Sequence, residues 1–264
     1  MSRVADVIAA RKAEGSGALI GYLPVGYPDL ATSIEAAVAL AENGVDAIEL
    51  GLPYSDPVMD GVVIQQATQA ALAGGFRLRH GFEAVAAITA RVETPVLLMT
   101  YWNPVVQFGV DRFADELVAA GGAGLITPDL IPDEAADWLA TSDRTDLDRV
   151  FLAAPSSTDA RLRQAVERSR GFVYAVSTMG ITGARTDVDR AARGLVSRLR
   201  AVGATSTCVG LGISTPEQVR EVIEYADGAI VGSLLVKALA DGGVDAVGAA
   251  AARLATGKTR ASAH

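Results

Sequence analysis

Eight short apolar runs alternate with stretches of helical periodicity, and this alternation constrains the fold more than any other feature of the chain. Strands separated by helices predict a parallel α/β sheet, and a count of eight favours closure into a single (β/α)8 TIM barrel. An open, doubly wound sheet is the alternative. The predicted strands cover residues 18–23, 47–50, 96–100, 124–127, 149–152, 171–176, 207–211 and 228–231.

Residues that begin and end helices fall between these apolar runs. Thr215 and Gln218 form a capping-box pattern with proline at the first helical position. Asp133 and Thr158 are predicted N-caps of two further helices. Asn43, followed by glycine, is predicted to end an earlier helix. These signals agree with helices between the strands.

Extra segments are predicted at three places. A helix precedes the first strand, and two helical patterns, near 62–72 and 80–92, indicate an insertion after the second strand. No linker divides residues 1–264, so we expect one domain. The last residues, from about 255 to 264, are predicted to form a flexible tail.

Length and charge narrow the class of protein. The chain has 264 residues, half of them hydrophobic, which suits one large domain. Its formal charge of −8 argues against nucleic acid or an anionic membrane as a partner. Binding of a phosphate would therefore depend on local backbone amides.

The cellular compartment is indicated by the single cysteine, Cys208, which excludes a disulfide within the chain and fits a reducing environment. No apolar run resembles a signal peptide, and Gly, Pro or a charge interrupts every run before it reaches the length of a membrane span. We therefore expect a soluble, cytoplasmic protein.

Two carboxylates near the second predicted strand are the main catalytic candidates. Glu49 interrupts an apolar strand and lies on the face opposite to its neighbours, so we expect it inside the barrel. Poor solvation there raises the pKa of a carboxyl and suits it to general-acid catalysis. Asp60 follows in the next loop, and paired carboxylates in different environments can divide acid and base roles. A structural glutamate and a turn aspartate are the alternatives.

Two glycine-rich turns follow the last two predicted strands. Gly212 lies after strand seven, and Gly232-Ser233 lies after strand eight. The loops at these two places often bind phosphate in this type of barrel, because glycine lets backbone N–H groups approach the ligand. Two ordinary strand-to-helix turns are the alternative.

A long polar loop at 177–186 follows strand six and predicts either a lid over the substrate or a plain connection. Just before it, Tyr174 shares a face with Phe172 and Val176, which places it in the barrel interior. A buried tyrosine hydroxyl needs a partner, such as a substrate or Glu49. A purely structural tyrosine is the alternative.

Scarce residue types exclude several mechanisms. No lysine lies on a predicted strand, which argues against a Schiff-base aldolase. The histidines do not cluster, which argues against a metal-dependent aldolase or epimerase. Two carboxylates, a tyrosine and backbone amides suit proton transfer on a small phosphorylated substrate, without metal or cofactor in this chain. The scarce residues are Lys12, Lys237, Lys258, His80 and His264.

Six segments, in order, resemble the α-subunit family of tryptophan synthase over nearly the whole chain. The resemblance implies a lyase that cleaves indole-3-glycerol phosphate to indole and glyceraldehyde 3-phosphate by a retro-aldol reaction. The segments are GYLPVGYPD at 21–29, ELGLPYSDPVMDG at 49–61, MTYWNP at 99–104, YAVSTMGITGAR at 174–185, VGLGIS at 209–214 and IVGSLLVK at 230–237.

The resemblance also implies a role for each carboxylate. Glu49 would protonate the indole carbon that bears the side chain and take the glycerol hydroxyl proton as the bond breaks. Asp60 would hydrogen-bond the indole N–H and stabilise the cationic tautomer, with Tyr174 beside them. The phosphate site would include Gly183, Gly212, Gly232 and Ser233, and the pocket and lid would include Tyr22, Tyr101 and Thr182.

The sequence departs from the family pattern at two positions, and the resemblance also implies a partner. Tyr22 stands where relatives often carry phenylalanine, and Pro128 also varies. The resemblance implies a pyridoxal-phosphate-dependent β subunit that receives indole through a tunnel in an α2β2 heterotetramer. The implied contacts are Pro53, Asp56, Asn103 and Pro132.

Two other functions stay open on the sequence. One is a related phosphate-binding barrel, such as an isomerase or indole-3-glycerol phosphate synthase, although the synthase would want a lysine at a strand end. The other is a barrel that only activates or scaffolds a partner enzyme.

Overall fold

A closed eight-stranded barrel forms the centre of the molecule. The computed structural model describes residues 2–176, 185–210 and 212–259, and the side chains of all of these except 185–189. The strands run parallel and pair in chain order, and the first pairs with the eighth, so the sheet has no free edge. This confirms the predicted (β/α)8 barrel. The strands are β1 (Ala18–Pro24), β2 (Ala47–Gly51), β3 (Val96–Met99), β4 (Gly124–Thr127), β5 (Asp148–Ala153), β6 (Val173–Val176), β7 (Thr207–Gly210) and β8 (Gly228–Val231).

Helices surround the barrel and cover the outer faces of the strands. Between β2 and β3 the chain forms two helices, which confirms the predicted insertion. The helices are α1 (Arg3–Ala13), α2 (Leu30–Glu42), α3 (Val62–Ala73), α4 (Arg79–Thr89), α5 (Trp102–Phe108), α6 (Val110–Ala119), α7 (Ala136–Thr145), α8 (Asp159–Arg168), α9 (Arg185–Ala201), α10 (Pro216–Ile223) and α11 (Ser233–Ala255), with a 3-10 turn at Pro132–Glu134.

Most of the predicted helix boundaries are confirmed. The Thr215 hydroxyl accepts from the backbone of Gln218, whose own side chain accepts from the backbone of Thr215, so the capping box is complete. Thr158 accepts from the Arg161 backbone at the start of α8. Asn43 is the C-cap of α2.

The predicted N-cap at Asp133 is wrong. Asp133 lies inside the 3-10 turn, and α7 begins only at Ala136, without a side-chain cap. Its carboxylate instead accepts a hydrogen bond from Gln164 Nε2 at 2.9 Å. The proline that precedes Asp133 favours a short 3-10 turn. The residues of this turn are therefore not part of α7, which begins after them.

Some element bounds also differ from the prediction. β6 begins at Val173 rather than at 171, because Gly171 has φ +99°, outside the strand region. Helix α5 was not among the predicted segments, and its Pro104 is tolerated because it lies in the first helical turn.

Helix α1, the predicted N-terminal helix, covers the amino-terminal end of the barrel. Val4 and Ile8 are buried against the lower layer of inward-facing strand residues. Ser2 Oγ donates to Asp148 at 2.9 Å, and Arg11 Nε donates to Asp46 at 2.8 Å. One end of the barrel is therefore closed, and a ligand must enter at the other.

The chain beyond α11 remains attached to the barrel. Lys258 Nζ donates to the carbonyl of Gly44 at 2.9 Å and to both oxygens of Asp46, and Thr259 forms a bridge with Ser16. Residues 256–259 therefore differ from the predicted flexible tail, and 260–264 lie outside the described residues. No helix in the described ranges is long and apolar enough to cross a membrane.

Candidate active site

A cavity of about 220 Å³ lies at the carboxyl-terminal ends of the strands, opposite α1. Every strand, or the loop that follows it, contributes to its wall. The lining residues are Tyr22, Glu49, Met59, Asp60, Gly61, Ile64, Met99, Pro128, Leu152, Tyr174, Val176, Gly210, Gly212, Ile230, Gly232 and Ser233. The cavity therefore gathers most of the predicted catalytic, phosphate-binding and pocket residues, and none of the predicted partner contacts, at the end where barrel enzymes carry their catalytic groups.

Glu49 projects from β2 into the cavity and is only 1% exposed. Neither carboxylate oxygen has a hydrogen-bond partner in the described part of the chain. Burial raises the pKa of this carboxyl to about 8, so it is largely protonated at neutral pH. A buried polar group without a partner is costly, and this one faces an open cavity, where a ligand can satisfy it.

Asp60 reaches the same cavity from the loop between β2 and α3. Partial burial raises the pKa of its carboxyl to about 6. At pH 7 Asp60 is therefore largely ionised while Glu49 is largely protonated. The two carboxyls have different charge states, as acid–base chemistry with divided roles requires.

Two tyrosines stand beside Glu49, and glycines make room for their hydroxyls. A Cβ at Gly51 would overlap the Tyr22 hydroxyl, and one at Gly210 would lie 2.5 Å from the Tyr174 hydroxyl. Burial, and then the negative charges of the two site carboxylates, raise the pKa of both tyrosines well above the usual value. Both phenols therefore stay neutral and protonated.

The two glycine-rich turns form the part of the cavity wall that was predicted to bind phosphate. Gly212 has φ +61°, a conformation that favours glycine. Gly232 is the N-cap of α11, which has no side-chain capping hydrogen bond. The neighbouring α10 is capped fully by its own side chains. Gly232 and Ser233 line the cavity, so α11 begins at the cavity wall without a side-chain cap, as an anion site at a helix N-terminus needs.

Other predicted residues lie elsewhere. Tyr101 is buried but does not line the cavity as the structure describes it; its hydroxyl accepts from the backbone N–H of Met59 at 2.9 Å. Thr182 and Gly183, and most of the predicted lid, lie outside the described residues. Within that lid segment, α9 already begins at Arg185.

The predicted contact residues lie on loops at the same end of the barrel. Asp56 and Asn103 are exposed, Pro132 is half-buried, and Pro53 is buried. Large apolar side chains are exposed on the same loops and adjacent helices. They are Val58, Val62, Val106 and Ile131.

Sequence reasoning missed the apolar wall of the cavity. Met99, Leu152 and Ile230 line it from β3, β5 and β8, and Ile64 lines it from α3. Period-two alternation identifies such strand residues only once the inward face of each strand is known. Among the described residues, no group of three His, Cys, Asp or Glu side chains is placed to hold a metal ion.

Comparisons with known proteins identify the family. The family model described as "Tryptophan synthase alpha chain" matches residues 8–263. The tryptophan synthase α chain of Leifsonia xyli subsp. xyli is 75% identical over 260 residues, which cover 98% of this chain and 100% of that one. The chain belongs to the tryptophan synthase α-chain family.

Solved structures of this family have the same fold. A structure of Mycobacterium tuberculosis tryptophan synthase superposes with a TM-score of 0.93 at 53% identity, covering 98% of this chain and 99% of that one. A structure from a study of the tryptophan synthase α2β2 complex of Pyrococcus furiosus gives 0.85 at 37% identity, covering 91% and 98%. As a tryptophan synthase α chain, this protein is the lyase half of the enzyme, which cleaves indole-3-glycerol phosphate.

Proposed function

We propose that Glu49 and Asp60 carry out the retro-aldol cleavage of indole-3-glycerol phosphate in this cavity. The Glu49 carboxyl carries the proposal, because it is buried, has no hydrogen-bond partner in the described chain and lines the cavity. A carboxyl that holds its proton at neutral pH can deliver it to carbon.

The protons and electrons balance within one cycle. Protonated Glu49 gives its proton to indole C3, and the positive charge passes to the ring nitrogen. The Glu49 carboxylate then takes the proton of the side-chain hydroxyl as the bond between C3 and the side chain breaks. Those bonding electrons restore the aromatic indole, the side chain leaves as the aldehyde glyceraldehyde 3-phosphate, and Glu49 is protonated again.

Asp60 is proposed to accept a hydrogen bond from the indole N–H. Its carboxylate is largely ionised at pH 7, since its pKa lies near 6. A fixed negative charge beside a nitrogen that becomes positive stabilises the transition state more than the ground state. Tyr174, with its neutral hydroxyl at the cavity wall, is proposed to act beside the two carboxyls.

The phosphate is proposed to bind at Gly212, Gly232 and Ser233, with Gly183 and the lid residue Thr182 joining from 177–184. The uncapped beginning of α11 supports this, because its N–H groups and helix dipole favour an anion. Tyr22 is proposed to face the indole ring. Tyr101 is proposed to act from behind the cavity wall.

No cofactor of this chain is needed for these steps. Protonation of an indole carbon makes the ring itself an electron sink, so the mechanism requires no metal and no lysine Schiff base. Pyridoxal phosphate is proposed to belong to a partner β subunit that converts the released indole. The protein is proposed to work in the cytoplasm.

The partner is proposed to dock on the open end of the barrel, as an α2β2 heterotetramer. Asp56, Asn103 and Pro132 lie on the surface there, beside the exposed Val58 and Val106. Exposed apolar side chains grouped on one rim suit a protein interface. Pro53 is buried and is proposed to shape the loop rather than to supply contact area.

Indole release from indole-3-glycerol phosphate by the purified chain tests the proposed chemistry. We expect slow release by the chain alone and faster release with a β subunit. Asp60→Asn should lower kcat by about a hundredfold or more, the scale expected for loss of one preorganised electrostatic partner. An Asp60→Asn variant with wild-type kcat would remove Asp60 from the mechanism.

A further inference from the structure

Hydrogen bonds hold the loop that carries Asp60 on both sides of the dipeptide Met59-Asp60. On one side, the backbone N–H of Met59 donates to the Tyr101 hydroxyl at 2.9 Å. On the other, Gln65 Nε2 donates to the carbonyl of Asp60 at 2.9 Å and to that of Pro57 at 3.3 Å. Two side chains, Tyr101 at the N-cap of α5 and Gln65 in α3, therefore hold Met59-Asp60 between them.

We propose that Tyr101 and Gln65 are positioning residues that clamp Met59-Asp60 and so aim the Asp60 carboxylate into the cavity. The inference rests on the proposed role of Asp60. Neither residue is part of the described cavity wall, whereas Met59 and Asp60 both are. Tyr101 and Gln65 therefore act through the backbone of the loop.

The loop needs external support because much of it faces solvent. Ser55 and Asp56 are exposed, and the Val58 side chain is 80% exposed. A segment with few buried side chains opens at little cost in free energy. Misplacement of a group by about 1 Å can cost a hundredfold in rate. Hydrogen bonds from buried or helical residues supply the precision that the loop cannot supply itself.

Tyr101 is a rigid end of this clamp. It is buried, and its ring stacks on Tyr54 with centroids 5.2 Å apart. The Tyr54 hydroxyl lies 3.3 Å from Asn103 Nδ2, which donates to it. The Asp129 carboxylate accepts from the backbone N–H of Trp102 at 2.9 and 3.1 Å, which fixes the beginning of α5. The clamp therefore continues from the cavity wall to the exposed rim at Asn103.

Two variants each remove the hydrogen bonds of one clamp residue, Tyr101 or Gln65. Tyr101→Phe keeps the stacked ring and removes only the hydroxyl that Met59 uses. Gln65→Met keeps the length of the side chain and removes its donor. Tyr225→Phe is the matched control, because its ring packs under Arg193 between α10 and β8, away from the loop.

We expect each clamp variant to lower kcat for indole formation about tenfold and to change KM less than about threefold, because Asp60 acts mainly in the transition state. Hydrogen exchange of the Met59 amide should quicken in Tyr101→Phe. In the Asp60→Asn background, Tyr101→Phe should lower kcat less than about twofold further. Tyr225→Phe should match the wild type.

Three results would overturn the clamp: wild-type kcat in both clamp variants, unchanged exchange at Met59 in Tyr101→Phe, or an equal loss of kcat with and without Asp60. These results differ from failure of the proposed function, in which the wild-type chain itself releases no indole. Thermal melting checks that each variant is folded, and either arm tests the clamp if the other variant does not fold.

Discussion

Tyr22 and Glu49 are register partners on the neighbouring strands β1 and β2, so their side chains lie side by side on the inner face of the barrel. Both are buried, and both line the cavity. The phenol remains neutral, because burial and the nearby negative charges raise its pKa. Neither oxygen of Glu49 has a hydrogen-bond partner in the described chain, and burial among such neighbours keeps its carboxyl largely protonated at neutral pH.

The first prediction concerns the pH dependence of catalysis. In the proposed mechanism Asp60 is ionised, which requires a pH above about 6, and Glu49 is protonated, which requires a pH below about 8. We therefore expect a bell-shaped profile of kcat/KM for indole formation, with its maximum between these values. Initial rates from pH 5 to 9 test this. A profile that rises steadily to pH 9 would contradict an acid role for Glu49.

The second prediction concerns stability. The pKa of Glu49 is about 8 in the folded chain against an ordinary 4.5. Its protonated form therefore contributes stability that is fully present below about 4.5 and is lost as the pH rises through 8. Relative to Glu49→Gln, the wild-type free energy of unfolding should fall by about 1.4 kcal/mol per pH unit within that window.

Urea unfolding of both proteins at several pH values measures this difference. Other titrating groups are shared and cancel in the comparison. Parallel pH curves for the two proteins would show that Glu49 has an ordinary pKa, and the acid assignment would lose its physical basis.

The third prediction concerns the close approach of β6 and β7. A Cβ at Gly210 would lie 2.5 Å from the Tyr174 hydroxyl and 3.1 Å from its ring carbons. Gly210→Ala should therefore destabilise the chain by about 1–3 kcal/mol through overpacking. Adding Tyr174→Phe should restore part of the loss, because the nearest atom is removed. Thermal melting of the single and double variants tests this, and equal losses in both would exclude the proposed clash.

The fourth prediction concerns Asp46 at the closed end of the barrel. Its carboxylate accepts from the backbone N–H of Leu19 at 2.8 Å and also binds Arg11 and Lys258. Asp46→Asn should lower the free energy of unfolding by about 1–3 kcal/mol, because a buried carboxylate loses its charge-assisted hydrogen bonds to partners that are partly exposed. The kcat of the folded variant should stay within about twofold of the wild type, since Asp46 lies at the end opposite the cavity.

The matched control for this network is Asp241→Asn. Its partner is Lys237 at 2.8 Å, and both side chains are well exposed. A surface pair of this kind contributes about 1 kcal/mol or less. Equal losses of stability at the two positions would contradict the structural role given to Asp46.

The sequence was sufficient for the architecture because periodicity reports directly on burial. Eight apolar runs, helix caps such as Thr215 and the insertion after β2 all follow from local pattern. The predicted N-cap at Asp133 was wrong because aspartate, a common N-cap residue, also suits a 3-10 turn. Helix α5 was not predicted, and with only seven residues it is too short for helical periodicity to give a clear signal.

The site was predictable in part. Glu49 stands out, since a carboxylate in an apolar strand is unusual, and the glycine turns stand out by their place after the last two strands. The contact of Met59 with Tyr101 joins residues 42 positions apart. No local pattern reports such a contact, so the sequence could only place Tyr101 near the pocket by resemblance.

Substrate binding and turnover, measured together in Glu49→Gln, test the proposed role of this carboxyl. We expect the variant to bind indole-3-glycerol phosphate with near wild-type affinity, measured by calorimetry. Its release of indole should fall by about a thousandfold or more, the scale of losing a general acid. A Glu49→Gln variant that binds the substrate and releases indole at the wild-type rate would show that this buried carboxyl is not the catalytic acid.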